Sequence, residues 1–250
     1  MLIHHGADRP ARLDRRLACS LALIAGALNS AGFYSLGFFA ANMTGNVSTG
    51  ADKIALGDVF SGAVYLLLPV AFIFGAALAT MLVEAGLRRR IARIFALSIL
   101  AEAAMLCVLG VLDMLDHGRG TVLILGLSTL MGFQNAVVTR ISNWRVRTTH
   151  ISGMSTDIGI GLGMLLTMVR HREASASRVE HLERLRLHGM TVLAFCVGGV
   201  LGVIAYKALG GVLLFIAAAL LAAVTLPGLL RRPLRPVPPA PPAPPMKQER

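Results

Sequence analysis

The chain has 250 residues, of which 55% are hydrophobic and only 15% charged, well below the roughly 25% of an ordinary soluble domain. Its mean hydropathy is +0.69, and its apolar residues are gathered in blocks, which excludes a soluble fold of amphipathic helices with polar stripes. The net charge of +11 does not point to nucleic acid, because the basic residues lie scattered through tails and loops without aromatic neighbours, as topology-setting charges beside anionic lipid do.

The first element is a polar tail over residues 1–16, expected on the cytoplasmic side. The apolar block after it is too long for the h-region of a cleavable signal. Six blocks follow: Leu17–Phe39, Ser61–Gly86, Ile91–Leu112, Thr121–Val138, Leu187–Tyr206 and Gly211–Leu230. Each reaches about 18 residues or more, enough to cross a hydrocarbon core of roughly 30 Å. Residues 231–250 hold 8 of the 11 prolines and are expected to form a disordered, extended cytoplasmic tail.

With six crossings and an inner amino terminus, 21 of the 24 Lys and Arg fall inside, and only Lys53, Arg119 and Lys207 fall outside. This is a strong positive-inside bias. Letting residues 151–169 cross as well evens the split and discards the bias, so that segment and residues 47–58 are expected to be re-entrant or surface helices. The fold class that follows is all-α: a polytopic membrane protein of about six transmembrane helices, in two inverted three-helix halves (about 17–113 and 119–230), with a short interrupted or re-entrant helix in each.

Two polar interruptions carry the repeat. AANMTGN (residues 40–46) ends the first block, and RTTHISGM (residues 147–154) follows the fourth. Gly26-Ala-Leu-Asn29-Ser30 precedes Thr44-Gly45, as Gly132-Phe-Gln-Asn135-Ala136 precedes Ser152-Gly153. Irregular polar backbone at membrane depth survives only where protein buries it or water reaches it. Paired broken helices are also how inverted-repeat transporters build a midplane site. Thr44 and Ser152 are candidate N-caps. Gly45 and Gly153 would admit a ligand or another backbone, and free N–H groups at the helix starts attract anions. The blander reading makes these residues caps and packing glycines, and Asn29 and Asn135 interhelical glue.

Glu102 lies halfway along the third block, where a charge is expensive, and is either buried as a neutral acid or a proton-relay carboxyl. Asp157 on the second interrupted helix is a similar candidate. Glu84, near a block end and beside Arg88, is expected to snorkel. His150 reads as an ordinary polar contact at the membrane boundary. Cys19, Cys107 and Cys196 read as small hydrophobes. No metal-ligand spacing, nucleophile elbow or phosphate loop is present, so neither a cofactor nor an enzymatic activity is expected.

The runs AGALNSAGFYSLGFFAANMTGNVSTG, GFQNAVVTRI and VRTTHISGMSTDIGIG resemble the YoaK-like family of bacterial inner-membrane proteins. The hallmarks there are a TGN-type motif in the first half and a QNA…TTxxTG-type motif in the second. The resemblance covers roughly residues 17–230 and implies a protein of about six spans in the bacterial cytoplasmic membrane. It implies no chemistry. The chain departs from that pattern at Asn29, where the family often carries an acid, and at Ser152, where threonine is usual.

The reading as a whole is a small secondary transporter or permease for a small polar or anionic solute, multi-pass in the inner membrane with both termini cytoplasmic. Its partners are the lipid bilayer and the solute, with no nucleic acid, and a homodimer is compatible with so thin a bundle. The expected solute site joins Asn29, Thr44, Gly45 and Asn46 with Gln134, Asn135, Thr149, Ser152 and Gly153, with Glu102 or Asp157 as proton carrier. The alternative is a non-transporting membrane scaffold or sensor acting through its loops and tail.

Overall fold

A computed structural model describes residues 11–115, 120–171 and 175–230. The proline-rich tail and the first ten residues lie outside the described set. Within it the protein is all-α, with eight helices: α1 (Ala11–Leu36), α2 (Met43–Ala55), α3 (Val59–Arg88), α4 (Ile94–Leu115), α5 (Gly120–Ile141), α6 (Ile151–His171), α7 (Ser175–Leu209) and α8 (Val212–Leu230). Helix ends follow local chemistry. Gly37 and Gly57 take left-handed φ of 78° and 88° just past α1 and α2, a conformation that glycine adopts without penalty. Asp58 caps α3 by accepting the Ser61 N–H at 3.2 Å.

Contacts fix the direction of each helix. Along α1 and α7, Leu23 meets Gly198, Ala27 meets Gly202, and Tyr34 meets Tyr206; both numbers rise together, so the helices run parallel. The pairs Leu68–Ser128, Phe72–Gly132 and Glu84–Arg140 make α3 and α5 parallel in the same way. Gly32 beside Leu127 and Leu36 beside Gly120 set α1 against α5, and Gly110 beside Phe215 with Asp113 beside Gly211 set α4 against α8. Gly50 and Ile54 pack on Gly62 in an antiparallel α2–α3 hairpin. Asp157 with His188, and Gly161 with Leu185, form the matching α6–α7 hairpin.

These directions decide how the chain crosses. Because α7 runs with α1 and against α5, while α6 runs against α7, α6 continues in the direction of α5. By the same reasoning α2 continues in the direction of α1. Each interruption is therefore followed by a helix that runs on in the direction of the one before it, α2 with α1 and α6 with α5. By length and apolarity, six helices could each span a bilayer: α1, α3, α4, α5, α6 and α7, while the apolar stretch of α8 is shorter, Val212–Leu226. The 21 residues of α6 exceed the short helix expected there. Its direction shows the reason: it starts beside the middle of the bundle and extends past it alongside the 35-residue α7.

The two halves repeat in their closest contacts. A Cβ on Gly26 would meet the Phe195 backbone, and one on Gly198 the Leu23 backbone; equivalently, Gly132 meets the Phe72 backbone and Gly75 the Thr129 backbone. Leu23 and Gly26 of α1 correspond to Thr129 and Gly132 of α5, and Phe72 and Gly75 of α3 to Phe195 and Gly198 of α7. Small residues at these points let whole helices touch, which is how helices associate where lipid removes the hydrophobic drive. The buried core, including Leu17, Leu21, Leu28, Ile99, Leu106, Leu130 and Phe133, fills the space between α1, α4, α5 and α8.

Candidate functional site

The residues between each broken pair are folded back by one asparagine. Asn29 accepts the Ala41 N–H at 2.8 Å, and Asn135 accepts the Thr148 N–H at 3.1 Å. Asn29 lies 12 residues beyond Leu17, about 18 Å along the helix axis at 1.5 Å per residue, so the chain leading into α2 returns to a point about halfway along the first apolar block. From there α2 and α6 leave in opposite directions, and their amino-terminal ends face a common space.

The capping differs from the sequence expectation. Asn42 is the N-cap of α2, its Oδ1 accepting the Gly45 N–H at 3.1 Å. His150 holds the equivalent place before α6, with the Met154 N–H on its carbonyl at 3.0 Å. Thr44 and Ser152 therefore lie one residue inside each helix and do not cap it. The glycines are likewise reassigned: a Cβ on Gly45 would meet the Asn42 side chain, and one on Gly153 the His150 ring. Each makes room for its own cap, and Gly45 also lines the common space.

The common space is a cavity of about 970 Å³. It is lined from the first half by Asn29, Phe39, Asn42, Thr44 and Gly45, and from the second by Asn135, Thr149, His150 and Ser152. Phe72 and Phe195, equivalent in the repeat, both line it, as do Thr139, Arg140, Trp144 and Arg147. Of the nine expected site residues, six meet here. Asn46 is instead buried and donates from Nδ2 to the Phe39 carbonyl at 2.8 Å, holding the fold-back in place. Gln134 is buried, and neither it nor Gly153 is among the lining residues.

The lining includes two arginines and, among the described residues, no carboxylate. Arg140 pairs with Glu84 across α3 and α5, a partner other than the neighbouring Arg88. Arg147 is exposed and donates from Nη1 to His150 Nδ1 at 3.1 Å. Asp14, buried at the start of α1, holds Arg145 at 3.3 Å and anchors this loop. Two helix amino termini and a guanidinium facing one space give it a positive potential that suits an anion or a strong acceptor.

Behind Asn135 runs a buried polar chain. Gln134 Nε2 donates to Glu102 Oε1 at 2.7 Å, and Thr148 Oγ1 donates to Gln134 Oε1 at 3.2 Å; all three side chains have no exposed surface. Asp157 is elsewhere: its side chain is 58% exposed and lies 3.8 Å from His188 Nε2 on the α7 side, away from the cavity lining.

Sequence reasoning passed over Asn42, Arg140, Arg147, Trp144 and the two phenylalanines, and read His150 as incidental. A signal for the phenylalanines was present: Phe72-Ile-Phe-Gly75 and Phe195-Cys-Val-Gly198 repeat one Phe-x-x-Gly pattern in equivalent spans.

A family model described as "Protein of unknown function (DUF1275)" matches residues 17–226, and the chain belongs to this family. No curated protein matches the chain, and no solved structure does.

Proposed function

We propose that this protein is a small permease or secondary transporter of the bacterial inner membrane, moving a small anionic or strongly hydrogen-bonding solute. The observation that carries the reading is the meeting of two oppositely directed helix amino termini, those of α2 and α6, at one cavity. A broken crossing costs backbone hydrogen bonds in a lipid environment, and inverted-repeat carriers place that cost where it binds an anion. The solute would rest between Asn29 and Asn135, with Thr44, Thr149 and Ser152 as hydroxyl partners and Arg147 as counter-charge. Neither an enzymatic step nor a cofactor enters this reading.

The positive-inside count supports cytoplasmic termini, an orientation in which α2 rises toward the outside and α6 descends toward the cytoplasm. The resemblance to YoaK-like proteins supports the inner membrane as the location.

The test is a melting screen of the detergent-purified protein against small anions such as nitrate, phosphate, acetate and bicarbonate, followed by liposome uptake of any that stabilise. A ligand at a hundred times its Kd adds about 2.7 kcal/mol to stability by mass action. An anion that raises the melting temperature and enters proteoliposomes supports the reading. A protein indifferent to every small solute would be a scaffold or sensor.

A further inference from the structure

We propose that Glu102 is a proton-binding site, and that Gln134 reports its occupancy to the cavity by turning its side-chain amide over. This rests on the reading of the cavity as the solute site and adds its regulation.

The chain of contacts is continuous. Glu102 Oε1 accepts from Gln134 Nε2, and Gln134 Oε1 accepts from Thr148 Oγ1. Thr148 gives its N–H to Asn135 Oδ1 and holds its hydroxyl 3.5 Å from that same oxygen. Asn135 faces the cavity. At the far end, Glu102 Oε2 is buried and has no hydrogen-bond partner among the described residues, so a proton added there breaks none of the bonds described. Buried polar atoms without partners are rare enough in folded proteins to require a reason.

Among the described residues, no charge stands by to take that role, and only α3, α5 and α8 pack on α4. Their charged residues are Glu84 and Arg88 near the end of α3 and Arg140 near the end of α5; α8 has none. Glu84 and Arg140 pair with each other. Asp113, further along α4, meets the Tyr206 hydroxyl at 3.2 Å.

Chemistry sets the response. With Glu102 ionised, the carboxylate only accepts, so the amide must present N–H to it and C=O to Thr148. One proton from water added at Oε2 makes a carboxylic acid, whose O–H now needs an acceptor. Half a turn of the carboxyl exchanges its two oxygens and brings that O–H to Gln134, and half a turn of the amide then presents Gln134 Oε1 to it and Nε2 to Thr148 Oγ1. The Thr148 hydroxyl hydrogen is then free to turn to Asn135 Oδ1, which would accept both the N–H and the O–H of Thr148. Both its lone pairs would be occupied, and it would no longer accept from a solute in the cavity. The only covalent change is the O–H bond at Glu102, reversed when the proton returns to water.

The device is one-sided. Leu28 stands where the repeat would place a second Gln134, and the N–H on Asn29 comes from Ala41, which has no hydroxyl. Only the second-half wall of the site can therefore sense a proton.

Infrared difference spectra of the protein in liposomes, taken from about pH 4 to about pH 9 where free and buried carboxyls titrate, test the first step. A carboxylic acid band should titrate in the parent, vanish in Glu102→Gln and persist in Glu84→Gln. A trifluoromethyl label on Thr149→Cys, in a background with Cys19, Cys107 and Cys196 replaced, tests the report to the cavity. Its fluorine shift should step at the same pH as the band. That step should be lost in Glu102→Gln, and also in Gln134→Leu, which keeps the band and copies the first half. A step due to neighbouring His150 would survive both substitutions. An infrared titration without a band assignable to Glu102, or a fluorine response identical in the parent and in Gln134→Leu, overturns the proposal. Should Glu102→Gln not fold, Gln134→Leu decides alone. Anion-induced melting shifts at fixed pH should persist in Gln134→Leu; their absence in every variant and in the parent would instead remove the solute site.

Discussion

Asn29 and Asn135 perform the same act in opposite halves: each takes the backbone N–H of the residue that folds back toward it, Ala41 at 2.8 Å and Thr148 at 3.1 Å. The bond sets the depth from which each broken helix restarts. Asn135 carries more, because Thr148 also joins it to Gln134 and Glu102.

Asn29→Ala and Asn135→Ala should each strand a backbone N–H away from water, at about 1–3 kcal/mol. Detergent melting temperatures should fall in both, and any anion-induced shift should shrink, since α2 or α6 would lose its fixed starting point. A variant that melts like the parent would show that the fold-back is held elsewhere.

Topology was legible in the sequence to the extent that charge was. The bias of arginines at Arg12–Arg16, Arg88–Arg93 and Arg140–Arg147 favoured an even number of crossings without residues 151–169, whereas α6 is itself long and apolar enough to cross a bilayer. What charge could not supply was that α2 and α6 continue α1 and α5, because that depends on where two loops fold back, and the asparagines that do it give no periodic signal. Capping was misread for a related reason. A hydroxyl followed by glycine looks like a cap and its turn, whereas Asn42 and His150 two residues earlier supply the caps. The phenylalanines were hidden in apolar blocks, where a cavity wall and a lipid-facing surface have the same composition.

The orientation has its own check. In a cysteine-free background, Leu56→Cys at the exposed turn between α2 and α3 should react with an impermeant maleimide added outside, and Glu183→Cys on the exposed part of α7 should not. Labelling of Glu183→Cys in sealed cells would place α6 across the membrane and invert everything after it.

The helix contacts predict which glycines matter. Gly132→Ala would press a Cβ on the Phe72 backbone, forcing α3 and α5 apart at a cost of about 1–3 kcal/mol or more. Gly163→Ala on α6 meets open space and should be neutral or more stable by up to about 1 kcal/mol. Melting temperature and monodispersity in detergent should separate the two cleanly; equal behaviour would refute the close helix contact.

Gly45 makes a sharper case, because two explanations of it differ in a double variant. A Cβ there meets the Asn42 cap, so Gly45→Ala should destabilise α2, and shrinking the cap with Asn42→Ser should restore most of the loss. Were the glycine needed by the solute instead, the double variant would regain stability and still fail to bind. Gly153→Ala with His150→Ser runs the same comparison in the second half.

Arg147 carries the last prediction, because charge and position can be separated there. Its guanidinium lines the cavity and touches only His150 among the contacts described for it, so no fold contact depends on its charge, and Arg147→Gln should melt like the parent. If the solute is anionic, that variant should lose about tenfold in affinity, the lower end of the ~1.5–3 kcal/mol of a hydrogen bond to a charged group. Arg147→Lys should recover part of it, since lysine keeps the charge but not the planar fork. Raising salt should weaken the parent more than Arg147→Gln, because exposed charges are screened within about 10 Å at 0.1 M. An unchanged affinity in Arg147→Gln, with the same salt dependence as the parent, would point to a neutral solute held by Asn29, Asn135 and the hydroxyls alone.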